Sequence, residues 1–288
     1  MGDLLACFAA DLKDDYESAI ALCSRALQSG ELSQRNTDDA LNDRGFAYMG
    51  KGEYDRAIQD FEEAIRLTPD SATAYSNRGA ALLWKGENDR AMRDYDQAIR
   101  LKPDDANNYI SRGNGYQILG SFERAIQDYD QAIQMKSATA SASFAKGRAL
   151  FNLGRFRDAV GALKISVDAN PTDAEGVLWL AMARKRAGEN ADDGLRASAQ
   201  GLDFGNWPGP IVRLYLGQIS RKAVIEAAAD PEPSKALHQS CEAEFHIAEM
   251  DLVSFQTEAA KAGFRHILDI CPKASVAAQE AKVELGRM

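Results

Sequence analysis

The chain has 288 residues, with 34 Lys and Arg against 43 Asp and Glu, for a formal net charge of −9. That balance excludes nucleic acid and anionic lipid as its main ligands, since both require a basic face that releases counterions. No apolar run is long enough to cross a bilayer. The abundance of Ala, Leu, Gln, Arg and Glu, with only 8 Pro, is a helical composition. No leader is visible; Met1-Gly2-Asp3 reads equally as a native start or as the replacement for a removed leader.

Residues 1–37 are expected to form a degenerate first hairpin. Tyr16-Glu17-Ser18-Ala19-Ile20 matches Tyr54-Asp55-Arg56-Ala57-Ile58, with extra residues in the Gly30–Asp39 link. Residues 38–173 then hold four regular repeats of 34 residues. Gly45, Gly79, Gly113 and Gly147 are in register, each preceded by a base (Arg44, Arg78, Arg112, Lys146) and followed twelve residues later by Ala57, Ala91, Ala125 and Ala159. The small residues let two antiparallel helices approach, and Tyr48, Phe61, Tyr95 and Tyr129 fill the space beside them. Gly52, Gly86, Gly120 and Gly154 mark the turn between helices, and Pro69, Pro103 and Pro171 end the second helix. Ser137 replaces the proline once, and Leu163 and Ser166 fit the pattern more loosely.

A period of this length marks a solenoid of helical hairpins, and these motifs closely resemble the tetratricopeptide repeat family. The resemblance implies an all-α, right-handed α-solenoid of stacked helix-turn-helix repeats. It also implies a non-enzymatic protein-binding function.

Residues 174–240 depart from the register. They keep Leu178, Trp179, Leu180 and Gly188, lose the consensus alanine, and stop at Trp207-Pro208-Gly209-Pro210. Two short helices, Ile211–Gly217 and Lys222–Ala229, and a surface turn at Asp230–Ser234 are expected. Residues 241–288 return to the pattern through Ala248, Ala260, Phe264 and Pro272 and finish in a capping helix over 275–287.

All four cysteines lie in the outer hairpins. Aligned to the repeats, Cys7 and Cys23 face each other across one helix pair, and Cys241 and Cys271 fall at the same end of another. This predicts disulfides Cys7–Cys23 and Cys241–Cys271, and hence an oxidising compartment. Two other readings stay open: small buried apolar residues, or a metal site completed by His238, His246 or His266. No metal or cofactor is expected.

Leu178-Trp179-Leu180-Ala181, Trp207-Pro208, Leu214-Tyr215-Leu216-Gly217 and Cys241-Glu242-Ala243-Glu244-Phe245 follow the regular repeats in that order. Together they resemble the NlpI-type tetratricopeptide proteins of the bacterial envelope. That resemblance implies a periplasmic or outer-membrane-associated adaptor, often lipid-anchored and dimeric, that brings peptidoglycan hydrolases to a protease. The chain departs from it in lacking a lipidated cysteine after a leader. A cytosolic scaffold and a homodimerising structural protein are the alternatives.

Phosphate-loop, zinc-protease and nucleophile-elbow motifs are absent from the sequence. Its paired carboxylates, Asp14-Asp15 and Asp104-Asp105 among them, fall at helix starts, where they cap N–H groups. No catalytic residue is expected. In the resembled family the first helix of each repeat lines a concave groove. Carried over by position, the partner-binding residues are Asn42, Phe46, Met49, Asn77, Leu83, Trp84, Ile110, Asn114, Gln117, Ile118, Phe144, Arg148 and Phe151. Amides among them suit a peptide backbone and the apolar members suit its side chains. The lysines that clamp a chaperone's terminal carboxylate in some relatives are missing from the matching positions.

Overall fold

In this computed structural model, residues 15–190, 192–272 and 275–288 are described. Among them the chain forms sixteen α-helices and no strand. The first six are α1 (Tyr16–Gln28), α2 (Gln34–Gly50), α3 (Tyr54–Leu67), α4 (Ala72–Lys85), α5 (Asn88–Leu101) and α6 (Ala106–Ile118). There follow α7 (Phe122–Gln134), α8 (Thr139–Asn152), α9 (Phe156–Ala169), α10 (Ala174–Arg186) and α11 (Asp192–Ala199). The last five are α12 (Gly209–Tyr215), α13 (Arg221–Ala227), α14 (Pro233–Val253), α15 (Thr257–Ile270) and α16 (Val276–Arg287). Helix-turn-helix units repeat in chain order, the α-solenoid arrangement the period predicts. The chain divides into two compact units, 1–115 and 116–288, with the division inside α6.

In the first unit, α2 packs on α3 and α4 on α5, and α3 joins the two pairs. Ser33 and Ser71 start α2 and α4 by accepting from the backbone N–H of Asn36 and Ala74. Ala57, Ala64, Ala91 and Ala98 are fully buried where the helices cross. Gly45 leaves room for the Phe61 ring: a Cβ there would lie 2.6 Å from Phe61 Cε1. The turn after α4 needs Gly86, whose φ of 87° is costly for any residue with a Cβ.

The repeat's charged positions are structural. Arg44 donates to both oxygens of Asp60 at 2.8 and 2.7 Å, and Arg78 to both of Asp94 at 2.7 and 2.9 Å. Ties to the preceding repeat also form: Arg112 donates to Asp96 at 2.7 Å and, in the second unit, Lys146 to Asp130 at 2.5 Å. The first pattern ties the two helices of one hairpin, the second ties neighbouring hairpins.

The second unit runs from α7 to α16 around one apolar core that includes Phe151, Leu163, Leu178, Trp179, Ile211, Phe245 and Phe264. The degenerate repeat has a normal first helix, α10, and a second helix of only 8 residues, α11. The two short helices expected in the insert are present as α12 and α13. The expected turn at Asp230–Ser234 ends early, because α14 begins at Pro233 and runs 21 residues. A boundary at 241 therefore falls inside a helix. Pro233 sits in the first turn, where a missing N–H costs no helical hydrogen bond.

Cys241 and Cys271, on α14 and at the end of α15, bring their sulfurs to 2.13 Å with Cα atoms 5.9 Å apart, as the alignment predicted. The pair Cys7–Cys23 involves Cys7, which lies outside the described residues; Cys23 is buried on α1.

Candidate functional site

The thirteen groove positions fall into two groups, one in each unit, with different fates. In the first unit Phe46 on α2 is 46% exposed and Trp84 on α4 is 40% exposed. These are large apolar groups that the fold has no internal use for. Tyr54, from the start of α3, stacks on Trp84 with ring centroids 6.4 Å apart and planes 9° from parallel, which holds the indole in place. Asn114 is exposed on α6, and Met49, Asn77 and Ile110 are half-buried.

Two of the first unit's positions are committed inward. Asn42 is buried, donates to the Asp38 backbone carbonyl at 2.9 Å and accepts from Asn77 at 3.3 Å. It is an interhelix tie rather than a free amide. Leu83 is buried between the hairpins. Asp38, which accepts from Asn42, is held above the ordinary carboxylate range by burial and by the Asp39 charge.

In the second unit the expected groove residues are largely occupied by the chain itself. Phe151 is 1% exposed; its ring meets Phe156 at 5.0 Å and Trp179 at 5.3 Å, both edge-on. It is a core residue, because α9 and α10 close over it. Arg148 donates to Glu280 of α16 at 2.8 Å and lies 5.0 Å from the Trp179 ring centre. It too is taken up internally. Phe144 is half-buried beneath the same guanidinium, at 5.9 Å. Gln117 accepts from the Tyr129 hydroxyl at 3.2 Å, and Ile118 is half-buried.

The helix that covers this face is α16, and it brings a set of buried charges. Glu280 and Glu284 are 3% and 2% exposed. Arg186, at the end of α10, donates to Glu284 at 3.0 Å and to Glu249 of α14 at 2.9 Å, with its guanidinium 4.4 Å from the Phe156 ring centre. Arg287 donates to the Phe151 carbonyl at 2.8 Å. Burial, aggravated by Glu284, pushes the Glu249 carboxyl up to about 8 despite Arg186. Burial likewise pushes Glu280 up to about 7 against the pull of Arg148.

Beside this cluster a cavity of about 110 Å³ lies between α10, α14 and the start of α16, lined by Glu175, Trp179, His238, Glu242, Phe245 and Glu280. Trp207 donates to Glu242 at 2.6 Å, so the indole of the cis Trp207–Pro208 segment is an internal strut. His246 shares a 3.2 Å hydrogen bond with Tyr215 and is pushed down to about 3 by burial. Among the described residues no group of three or more His, Cys, Asp and Glu is placed to hold a metal ion.

The residues that close the second face had no sequence signal at the level of spacing. Arg148 and Glu280 are 132 residues apart, Arg186 and Glu284 98. Only the acidic pair four apart on an alanine-rich helix hints at a partner for arginines.

Family models described as TPR repeat and tetratricopeptide repeat match residues 45–84, 72–105, 111–174 and 144–201. A search of the curated proteins finds no match. Among solved structures, a thermophilic TPR protein of Thermus thermophilus aligns at 20% identity over 63% of this chain and 97% of its own, with a TM-score of 0.57. The C-terminal part of a TPR repeat-containing protein from Cytophaga hutchinsonii aligns at 17% identity over 96% and 98%, with a TM-score of 0.52. Pseudomonas aeruginosa pilF aligns at 15% over 87% and 99%, with a TM-score of 0.53. These likenesses concern the fold, and the repeat matches extend from the first regular hairpin through the degenerate one. The chain belongs to the tetratricopeptide repeat family.

Proposed function

We propose that this protein is a non-enzymatic adaptor that binds a protein partner through the first-helix face of its first unit. The observation that carries this reading is the pair of exposed aromatic side chains, Phe46 and Trp84, on successive first helices. Tetratricopeptide repeats mediate protein–protein interaction, and exposed, pre-oriented aromatics are the side chains that most often dominate such contacts. The stacked Tyr54 lowers the entropy lost when Trp84 is fixed against a partner.

The cysteine placement favours an oxidising compartment, since the Cys241–Cys271 geometry suits a disulfide and disulfides persist in such surroundings; the NlpI-type resemblance makes that compartment the bacterial cell envelope. There the NlpI-type resemblance suggests peptidoglycan hydrolases and a processing protease as the partners to be linked.

Two measurements test these parts separately. Phe46→Ala combined with Trp84→Ala should lower recovery of partners from native extract by about tenfold or more, with the helical circular dichroism spectrum unchanged. Equal recovery removes this face from the reading. Intact mass of protein isolated from its own cells, with and without reductant, should reveal two disulfides; four free thiols would place the protein in a reducing compartment instead.

A further inference from the structure

The second unit's face already holds a ligand, and that ligand is a helix of the same chain. α16 lies on α15 and reaches α14 and α8, setting Glu280 on Arg148 and Glu284 on Arg186. The two carboxylates are one helical turn apart and so project from one side. Between and beside them α16 buries only small side chains, Ala277, Ala278 and Ala281, with Leu285 partly covered.

This is a specific but shallow attachment. Alanines remove little apolar surface from water. Ion pairs withdrawn from solvent return little net stability, because desolvation offsets their attraction. A helix of 12 residues has no stability of its own in water. The site is also incompletely satisfied: Arg148 Nε is buried with no hydrogen-bond acceptor. An occupant that supplied one would gain a bond that α16 leaves unmade.

We propose that the arginine-bearing face formed by α8 and α10 is a helix-docking site, held in reserve by α16, for a partner helix that presents two acidic side chains four residues apart beside small residues. Arg148 and Arg186 read the acidic pair, and Trp179 and Phe156 back the guanidinium planes. A partner helix of that pattern that also offers an acceptor to Arg148 Nε displaces α16. This face is separate from that of Phe46 and Trp84, so loss of binding there leaves the present proposal standing, and the reverse.

The test uses the full chain and, as probe, a fluorescent peptide of residues 275–288. Glu280→Lys with Glu284→Lys sets lysines against Arg148 and Arg186 and releases α16. This variant should bind the wild-type peptide at least about tenfold more tightly than the wild-type chain does. A peptide carrying the same two reversals should bind the variant at least about tenfold more weakly than the wild-type peptide. Failure of a helical, cooperatively melting variant to bind the peptide overturns the proposal. Equal binding of both peptides does the same. So does a wild-type dimer by light scattering that excludes the peptide, which would make α16 an element exchanged between copies. Should the variant not fold, hydrogen exchange of the wild-type chain decides. Amides of α16 exchanging by local opening, ahead of those in α8 and α10, support displacement; exchange of all three only together overturns it.

Discussion

Gly45 and Phe255 show opposite uses of the same freedom. A Cβ at Gly45 would meet Phe61 Cε1 at 2.6 Å and Cζ at 2.7 Å, and that ring is wholly buried with nowhere to retreat. Gly45→Ala gains the better helix former, worth about 1 kcal/mol, but overpacks the crossing by more, about 1–3 kcal/mol. Its net effect is a loss of stability. Phe255 is the reverse. It occupies the turn position at which Gly52, Gly86, Gly120, Gly154 and Gly188 stand in earlier repeats, with φ at 60° and the ring 94% exposed. The ring contributes almost no buried area, and the left-handed backbone costs about 1 kcal/mol or more for a residue with a Cβ. Phe255→Gly should therefore raise stability by about 1 kcal/mol, read in urea melts beside Gly45→Ala. A destabilised Phe255→Gly would mean that the ring packs on something in solution.

At the scale of the element, the bidentate pairs Arg44–Asp60 and Arg78–Asp94 join the two helices of a hairpin where both partners are mostly covered. Asp94→Ala strands a guanidinium inside the hairpin, so it should lower stability by about 2–3 kcal/mol. The exposed Glu63–Arg66 pair on α3 forms at 2.5 Å, yet Glu63→Gln should leave the melt unchanged, because water screens it. Matching losses in the two variants would contradict the assignment of Asp94 to the hairpin's frame. The register itself was legible because sterics impose it: only Gly or Ala fits where helix axes approach, so Gly45, Ala57 and Ala64 repeat with the hairpin. The start of α14 was not, because Asp230–Glu232 carries turn residues up to a proline that both a turn and a first helical turn accept. The groove was half legible. Position along the first helix identifies Phe46 and Trp84 as outward-facing residues, but whether a face stays open depends on what returns to cover it. Arg148 and Phe151 hold the positions that Phe46 and Met49 hold in the first regular repeat; α16 and α10, later in the chain, decide their fate.

At the scale of the whole molecule, the buried charges of the second unit make stability depend on pH. Glu249 faces Arg186, Glu284 and Arg287; Glu280 faces Arg148, Glu175 and Glu242. Both carboxyls are raised in the folded chain, to about 8 and about 7, from an ordinary value of 4.5. The folded state therefore keeps protons that the unfolded state releases. The stability these groups contribute is fully present below 4.5 and is lost as pH rises through about 7 and about 8. His246 acts in the opposite direction, being lowered from 6.5 to about 3, so its contribution is present above 6.5 and lost on acidification. Above 6.5 the His246 contribution is constant and the raised carboxyls, with Glu242 beside Glu280 raised by burial as well, set the trend. The melting temperature should then fall steadily from pH 6.5 to 8.5, and Glu280→Gln, which cannot ionise, should make that fall shallower. A wild-type melt that is flat or rising across this range would mean that the arginines hold both carboxylates ionised, with Glu280 of α16 meeting Arg148 as a full ion pair at every pH tested.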